Sequence, residues 1–234
     1  MSRVVAIHQP NFFPWLGFFD KILKSDVFVL LDHVQFQKTG GTWTNRVKLL
    51  VNHEGHWVTA PIVRNYHGVR AINEMELRAD PEWANSVMKT LVQSYSKAAF
   101  FRETFDFFEP LIRNSEPMLS KFNIHAIRAI VKQLGIRMEK LCCSSDLSRE
   151  GSSNEMLISL TKTVGGDTYM CGGGADGYQD PVAFQKNGIN LLPQNFKHPH
   201  YSQIGAPEFV PGLSIIDAAM NVGWSGVQAL LVNK

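Results

Sequence analysis

The chain has 234 residues, 44% of them apolar, and a formal net charge of +2. A chain of this length buries about 70% of its unfolded surface, so neither metal nor disulfide is needed to hold a core. The charge is scattered without runs of Lys or Arg, too weak a field to organise the roughly six to ten phosphate contacts of a duplex-DNA reader, which excludes nucleic acid as the expected partner.

The longest apolar stretches, such as residues 27–31 and 49–51, fall short of the roughly 20 residues of a membrane span, and residues 1–3 lead into a strand rather than a signal sequence. The expectation is a cytoplasmic protein without a membrane span. Cys142, Cys143 and Cys171 form neither a framework of pairs nor a C-x-x-C metal motif, so they are read as reduced thiols.

Residues 3–8 are β-branched and apolar, residues 9–15 carry two prolines, residues 16–24 are helical and residues 27–32 are again apolar. Two buried strands joined through a helix lie parallel. Residues 43–51 and 56–63 are strand-like and flank the turn-forming Asn52-His53-Glu54-Gly55, which predicts a β-hairpin with residues 75–77 as a third strand. Residues 80–135 are helical, opened by Asp80-Pro81-Glu82 and divided by Pro110 and Pro117 into three or more helices.

The last hundred residues alternate. Strands are expected at 138–142, 167–171 and 189–192, with a helix from the capping box Ser152-x-x-Glu155 to Val164 and another from Asp180-Pro181 to Lys186. Ser214-x-x-Asp217 then caps a helix ending near Gly223. The string predicts an α/β fold: a mostly parallel Rossmann-like sheet formed from both ends of the chain, with a hairpin insertion at about 43–63 and a helical insertion at about 80–135. A single domain over 1–234 is the expectation, although two lobes would produce the same string.

Ligands collect beyond the carboxyl ends of strands in such sheets. The loop His8-Gln9-Pro10-Asn11-Phe12-Phe13-Pro14-Trp15 leaves the first strand with large rings beside polar groups, a mixture that can floor a pocket or simply plug the sheet end. Asp32 ends the second strand and is followed by His33, Gln35 and Gln37; a carboxylate beside an imidazole can serve acid–base catalysis, while the plain reading of Asp32 is a turn cap. Asn45-Arg46 opens the hairpin, and the guanidinium can fork onto a phosphate or pair with a surface acid.

His198-Pro199-His200-Tyr201-Ser202-Gln203 gathers further polar groups, but no third ligand joins its two histidines, so no metal is assigned. Cys171-Gly172-Gly173-Gly174 lacks both the G-x-G-x-x-G spacing and a Walker lysine, and reads as a flexible or closely packed loop. The Phe-rich stretch 100–108 reads either as an interface or as core.

Residues 7–19, then Ser25-Asp26-Val27-Phe28-Val29 with Leu31-Asp32-His33-Val34-Gln35-Phe36, Trp43-Thr44-Asn45-Arg46 and Trp57-Val58-Thr59-Ala60-Pro61 resemble the hallmark segments of the WbqC-like family. Tyr201-Ser202-Gln203 and residues 213–223 resemble its closing motifs, so the likeness spans nearly the whole chain. The resemblance implies a genomic setting among genes for O-antigen and other surface glycans, and no settled reaction.

The setting favours a small-molecule enzyme that moves an acyl or aminoacyl group from a thioester to the amine of a nucleotide-linked amino sugar. His8 and Asp32 are then the candidate catalytic residues, and Gln9, Asn11, Phe13, Trp15, Gln35, Asn45, Arg46, His198, Tyr201 and Gln203 the candidate substrate-binding residues. No cofactor is firmly implied beyond a coenzyme A or carrier-protein thioester as donor, which makes an acyl carrier protein a candidate partner. One alternative is an ATP-dependent nucleotidyltransferase or ligase, whose second histidine is missing here with residues 15–18 in its place. Another is a non-catalytic sugar-binding subunit.

Overall fold

The computed structural model describes residues 2–38, 42–172 and 179–232. The chain divides into two compact units, the first of residues 1–9, 17–33 and 137–197 and the second of residues 10–16, 34–136 and 198–234.

The first unit is built on five strands: β1 (Val4–His8), β2 (Val27–Leu30), β5 (Leu141–Cys143), β6 (Thr168–Cys171) and β7 (Asn190–Pro193), in the order β5-β2-β1-β6-β7. Every pairing is parallel, with Val5 opposite Val27 on one side of β1 and opposite Tyr169 on the other. The expected parallel sheet with strands from both ends of the chain is therefore present, and β1 and β2 read as continuous apolar runs because both of their faces are covered.

Val5, Ile7, Val27 and Val29 pack on one face with Ile158 and Leu160 of α5 (Ser153–Thr163) and Phe184 of α6 (Pro181–Lys186). On the alternate positions, Phe28 meets Phe18 of α1 (Leu16–Lys24) at 5.2 Å between ring centroids. Since α1 joins β1 to β2 over one face and α6 joins β6 to β7 over the other, the connections leave β1 and β6 in opposite directions. Asp180 caps α6 as expected, accepting from Val182 N and Ala183 N; Ser152 precedes α5, but its hydroxyl makes no capping bond. The strand expected at 138–142 starts later, because Met138–Lys140 forms a single 3₁₀ turn.

The second unit holds the predicted hairpin, β3 (Arg46–Val51) antiparallel to β4 (Glu54–Thr59). Its turn residues Asn52 and His53 both have positive φ, 49° and 71°, the backbone of a two-residue turn that matches strand twist. No third strand joins it among the described residues: Leu77 makes an isolated bridge to Ile62, and Glu76 one to Met118.

Helices α2 (Pro81–Tyr95), α3 (Phe101–Ile112) and α4 (Leu119–Gln133) fill the expected helical block. Pro110 does not divide it: α3 continues two residues past the proline, forgoing the ladder bond its N–H would have made, with Phe108, Leu111 and Ile112 buried on either side, and the first break falls at residues 96–100. Phe107 and Phe108 pack on Trp224 at 4.8 and 5.6 Å, which makes that part of the Phe-rich stretch core.

Helix α7 (Ile215–Val232) runs past Gly223, whose φ of 67° and ψ of 175° interrupt it where the sequence suggested an end. By length and composition it is apolar enough to cross a membrane, unlike the short apolar runs noted above, and 56% of it is buried.

Candidate functional site

Because the connections of β1 and β6 diverge over opposite faces, the carboxyl ends of these two central strands form the topological switch point, where open parallel sheets leave a crevice for ligands. His8 is the last residue of β1 and Cys171 the last of β6. The half-buried His8 ring lies edge-on to Phe18, 5.1 Å between centroids at 74°. Its Nδ1 is 3.0 Å from the Gln9 carbonyl, which can only accept, so Nδ1 carries the proton and Nε2 is the acceptor nitrogen. Burial first, and then the nearby Lys21 ammonium, push the imidazole pKa down to about 4, leaving the ring neutral at pH 7.

Lys21 carries no signal in the linear sequence. It lies in α1 only 3% exposed, and Nζ reaches back to the Ile7 carbonyl at 3.3 Å. Burial pushes its pKa down to about 8 against a smaller opposing influence of Cys171. The half-buried Cys171 points Sγ at the Leu192 carbonyl, 3.7 Å away. A Cβ added to the following Gly172 would meet nothing within 4 Å among the described residues; Gly173 and Gly174 lie outside them.

Asp32 belongs to a different cluster of the same unit. It is 4% exposed, and its Oδ1 accepts from Ser144 Oγ and from Ser145 N, both at 2.9 Å, while Oδ2 accepts from Ser145 Oγ at 2.7 Å. The one hydroxyl proton of Ser144 goes to Asp32, so His33 Nδ1, 2.6 Å from that oxygen, is a donor. Carboxylate, hydroxyl and imidazole thus touch in an order that differs from a nucleophilic triad, where the carboxylate orients the imidazole. The arrangement anchors the turn Ser144–Asp146 to the end of β2.

The remaining candidates, Gln9 apart, belong to the second unit. Phe13 is 1% exposed and packs against Phe12, Phe108 and Phe122, so it is core there. Asn11 is buried too, and its Nδ2 has no hydrogen-bond partner among the described residues. Asn45 donates Nδ2 to the Ala60 carbonyl at 3.2 Å and holds the mouth of the hairpin, whereas Gln35 is exposed.

Trp15 begins a ladder of indoles: it lies 5.0 Å from Trp43, which lies 4.9 Å from Trp57. The Arg46 guanidinium sits 4.1 Å over the Trp57 ring and Lys48 Nζ 5.2 Å from it, with Trp57 40% exposed. Nothing in the linear sequence marks Trp57 and Lys48 as site residues, but their direct cross-strand pairing follows once the hairpin register is known.

Tyr201 and Gln203 converge on Asp217 of α7. Tyr201 donates to Oδ2 at 2.6 Å, Gln203 Nε2 at 3.1 Å, and Tyr95 donates to Oδ1 at 3.0 Å. Burial raises the Asp217 pKa against these donors. His198 is half-buried, and the His200 ring lies on Phe209 at 4.4 Å. Among the described residues no three His, Cys, Asp or Glu side chains gather around a metal position.

A cleft of about 330 Å³ opens elsewhere in the second unit over Trp83, Ile112 and Phe122, and none of the sequence candidates lines it. Its two arginines are engaged, Arg78 with Asp80 at 3.2 Å and Arg113 with Glu109 at 2.9 Å.

Compared with known proteins, residues 9–229 match the WbqC-like protein family. The "Uncharacterized protein Rv1507c" of Mycobacterium tuberculosis is 30% identical over 223 residues, covering 94% of each chain. No solved structure matches.

Proposed function

From the premise that this chain belongs to the WbqC-like protein family, we propose that it is a transferase of bacterial surface-glycan biosynthesis, moving an acyl or aminoacyl group from a thioester to the amine of a nucleotide-linked amino sugar. The observation that carries this reading is the imidazole of His8, at the carboxyl end of a central parallel strand and neutral, with Nε2 as acceptor.

The amine lone pair attacks the thioester carbonyl, forming the C–N bond. His8 Nε2 takes the proton from the alkylammonium so formed, and the tetrahedral intermediate collapses with loss of the thiolate, which His8 reprotonates. The imidazole relays this proton to the departing thiolate within one cycle, so the ring holds it only transiently and returns to its neutral form. Asp32, with its oxygens on Ser144 and Ser145, positions the turn after β5. In the second unit, the exposed face of Trp57 with Arg46 and Lys48 beside it has by itself the chemistry of a sugar-binding surface, where C–H faces pack on indole and anionic groups pair with the cations. The donor is coenzyme A or an acyl carrier protein, and the setting cytoplasmic.

Incubating the purified protein with a dTDP-amino sugar and a panel of acyl and aminoacyl thioesters, followed by mass spectrometry, tests the reading. The acceptor should gain the mass of the acyl group, and His8→Ala should slow the transfer by about 10²–10⁴-fold. Absence of a mass gain with every donor counts against it. The indole ladder would serve a non-catalytic sugar-binding subunit equally well; unchanged transfer by His8→Ala rejects this imidazole as base, and binding without transfer in the unsubstituted protein favours that second reading.

A further inference from the structure

A lysine seldom sits 3% exposed in a protein interior without an acid beside it. The Lys21 ammonium has three protons to donate, and among the described residues it makes one hydrogen bond, to the Ile7 carbonyl at 3.3 Å. Among the described residues the aspartates of this unit closest to it in sequence bond to other groups: Asp20 takes Lys24 at 3.1 Å and Gln194 at 2.9 Å, Asp26 takes Val4 N at 2.8 Å, and Asp32 takes Ser144 and Ser145. A charge removed from water with two donors unspent is stabilised by an anion that arrives with the ligand.

Its location fits this. Nζ lies at the carboxyl end of β1, in electrostatic reach of Cys171 at the end of β6 and of His8, so it occupies the switch point between two strands whose connections diverge. We propose that Lys21 is the cation of a phosphate-binding site at the carboxyl edge between β1 and β6. An ammonium is a point charge with divergent donors, which selects by charge rather than by the planar two-oxygen match that a guanidinium makes; a phosphate, with more charge and three acceptor oxygens, gains more from it than a carboxylate does. Gly172, where a Cβ would meet nothing within 4 Å among the described residues, lets a ligand approach the backbone at this edge.

The phosphate belongs either to a nucleoside diphosphate or to the phosphoryl groups of coenzyme A. The site is independent of the acyl-transfer reading, since it is tested by binding alone. Among the described residues the titratable groups in electrostatic contact with the ammonium are His8 from β1 and Cys171 from β6, while Asp20 and Lys24 on its own helix pair with each other. Because bound phosphate restores the ammonium's preference for its proton, affinity should fall as pH rises through about 8.

Calorimetric titration of the full chain with pyrophosphate, dTDP and coenzyme A, before and after Lys21→Met and Lys21→Gln, decides the matter. At least one probe should bind the unsubstituted protein at millimolar concentration or below, and both substitutions should weaken it tenfold or more while thermal unfolding shows the variants folded. Preference for dTDP assigns the site to the nucleotide, and preference for coenzyme A assigns it to the thioester donor. Equal binding by the variants, or no binding of any of the three probes to the unsubstituted protein, overturns the proposal.

Discussion

Replacing Lys21 by Met should make the unligated protein more stable at neutral pH. The pKa of this ammonium falls from 10.5 to about 8 on burial, and at about 1.4 kcal/mol per unit the folded state carries a penalty of about 3 kcal/mol at pH 7. Methionine removes the penalty and fills similar space; the lost bond to the Ile7 carbonyl returns about 1 kcal/mol. The net gain is about 2 kcal/mol, or about 4–8 °C in Tm for a chain of this length.

The pH dependence separates this cause from a general packing effect. The folded pKa lies below the unfolded one, so the unfolded chain binds more protons between about pH 8 and 10.5, and stability rises with pH across that window while the penalty is fully present below it. Urea unfolding followed by tryptophan fluorescence at pH 7, 8, 9 and 10 should show the two proteins converging as pH rises. A variant less stable than the unsubstituted protein at pH 7, or a gap that does not narrow towards pH 10, would refute the reasoning.

The His8 pKa of about 4 predicts that kcat/KM for the proposed transfer loses its base on the acid side near pH 4 rather than near 6.5, and that Lys21→Met moves this limb upward by removing a neighbouring positive charge; pH–rate profiles of the two proteins check both. Asp217→Ala strands the hydroxyls of Tyr95 and Tyr201 and should cost about 4 kcal/mol in urea unfolding, with a loss under 1 kcal/mol contradicting the assignment. Gly223→Ala forces a side chain onto φ 67°, ψ 175° and places its Cβ 2.6 Å from Phe100 Cδ1; about 2 kcal/mol should be lost, less than a rigid neighbour would exact because Phe100 is 40% exposed and can shift.

The order of elements was legible where periodicity and capping agreed. Both strands flanking α1 are unbroken apolar runs, the Asn52-His53 turn has the left-handed residues its hairpin demands, and Asp80 and Asp180 cap as their positions suggest. Proline is an uncertain stop signal where packing outweighs one ladder bond: α3 runs on past Pro110 because Phe108, Leu111 and Ile112 are buried around it. Two adjacent aromatics could not be separated from their neighbour two residues on, because which rings of a loop turn inward depends on what packs there; Phe12 and Phe13 became core and Trp15 joined Trp43.

Lys21 shows what a linear sequence conceals about a site. A lysine in an amphipathic helix ordinarily extends its stem and keeps the ammonium in water, and only the orientation of α1, with Phe18 set against both His8 and Phe28, turns position 21 towards the end of β1. The contrast with Asp32 follows from hydrogen-bond accounting. The carboxylate at the end of β2 has both oxygens bonded by Ser144 and Ser145, residues more than a hundred positions away, and a satisfied buried group fixes structure. The ammonium at the end of β1 has one bond for three protons among the described residues, and a buried charge in that condition is held by the fold at a cost that a ligand can relieve. Two ionisable groups of one sheet edge are thereby sorted by satisfaction rather than by identity: the one that looks more catalytic in the sequence is tied into the scaffold, and the one that looks like a solvated surface lysine is left to meet the substrate.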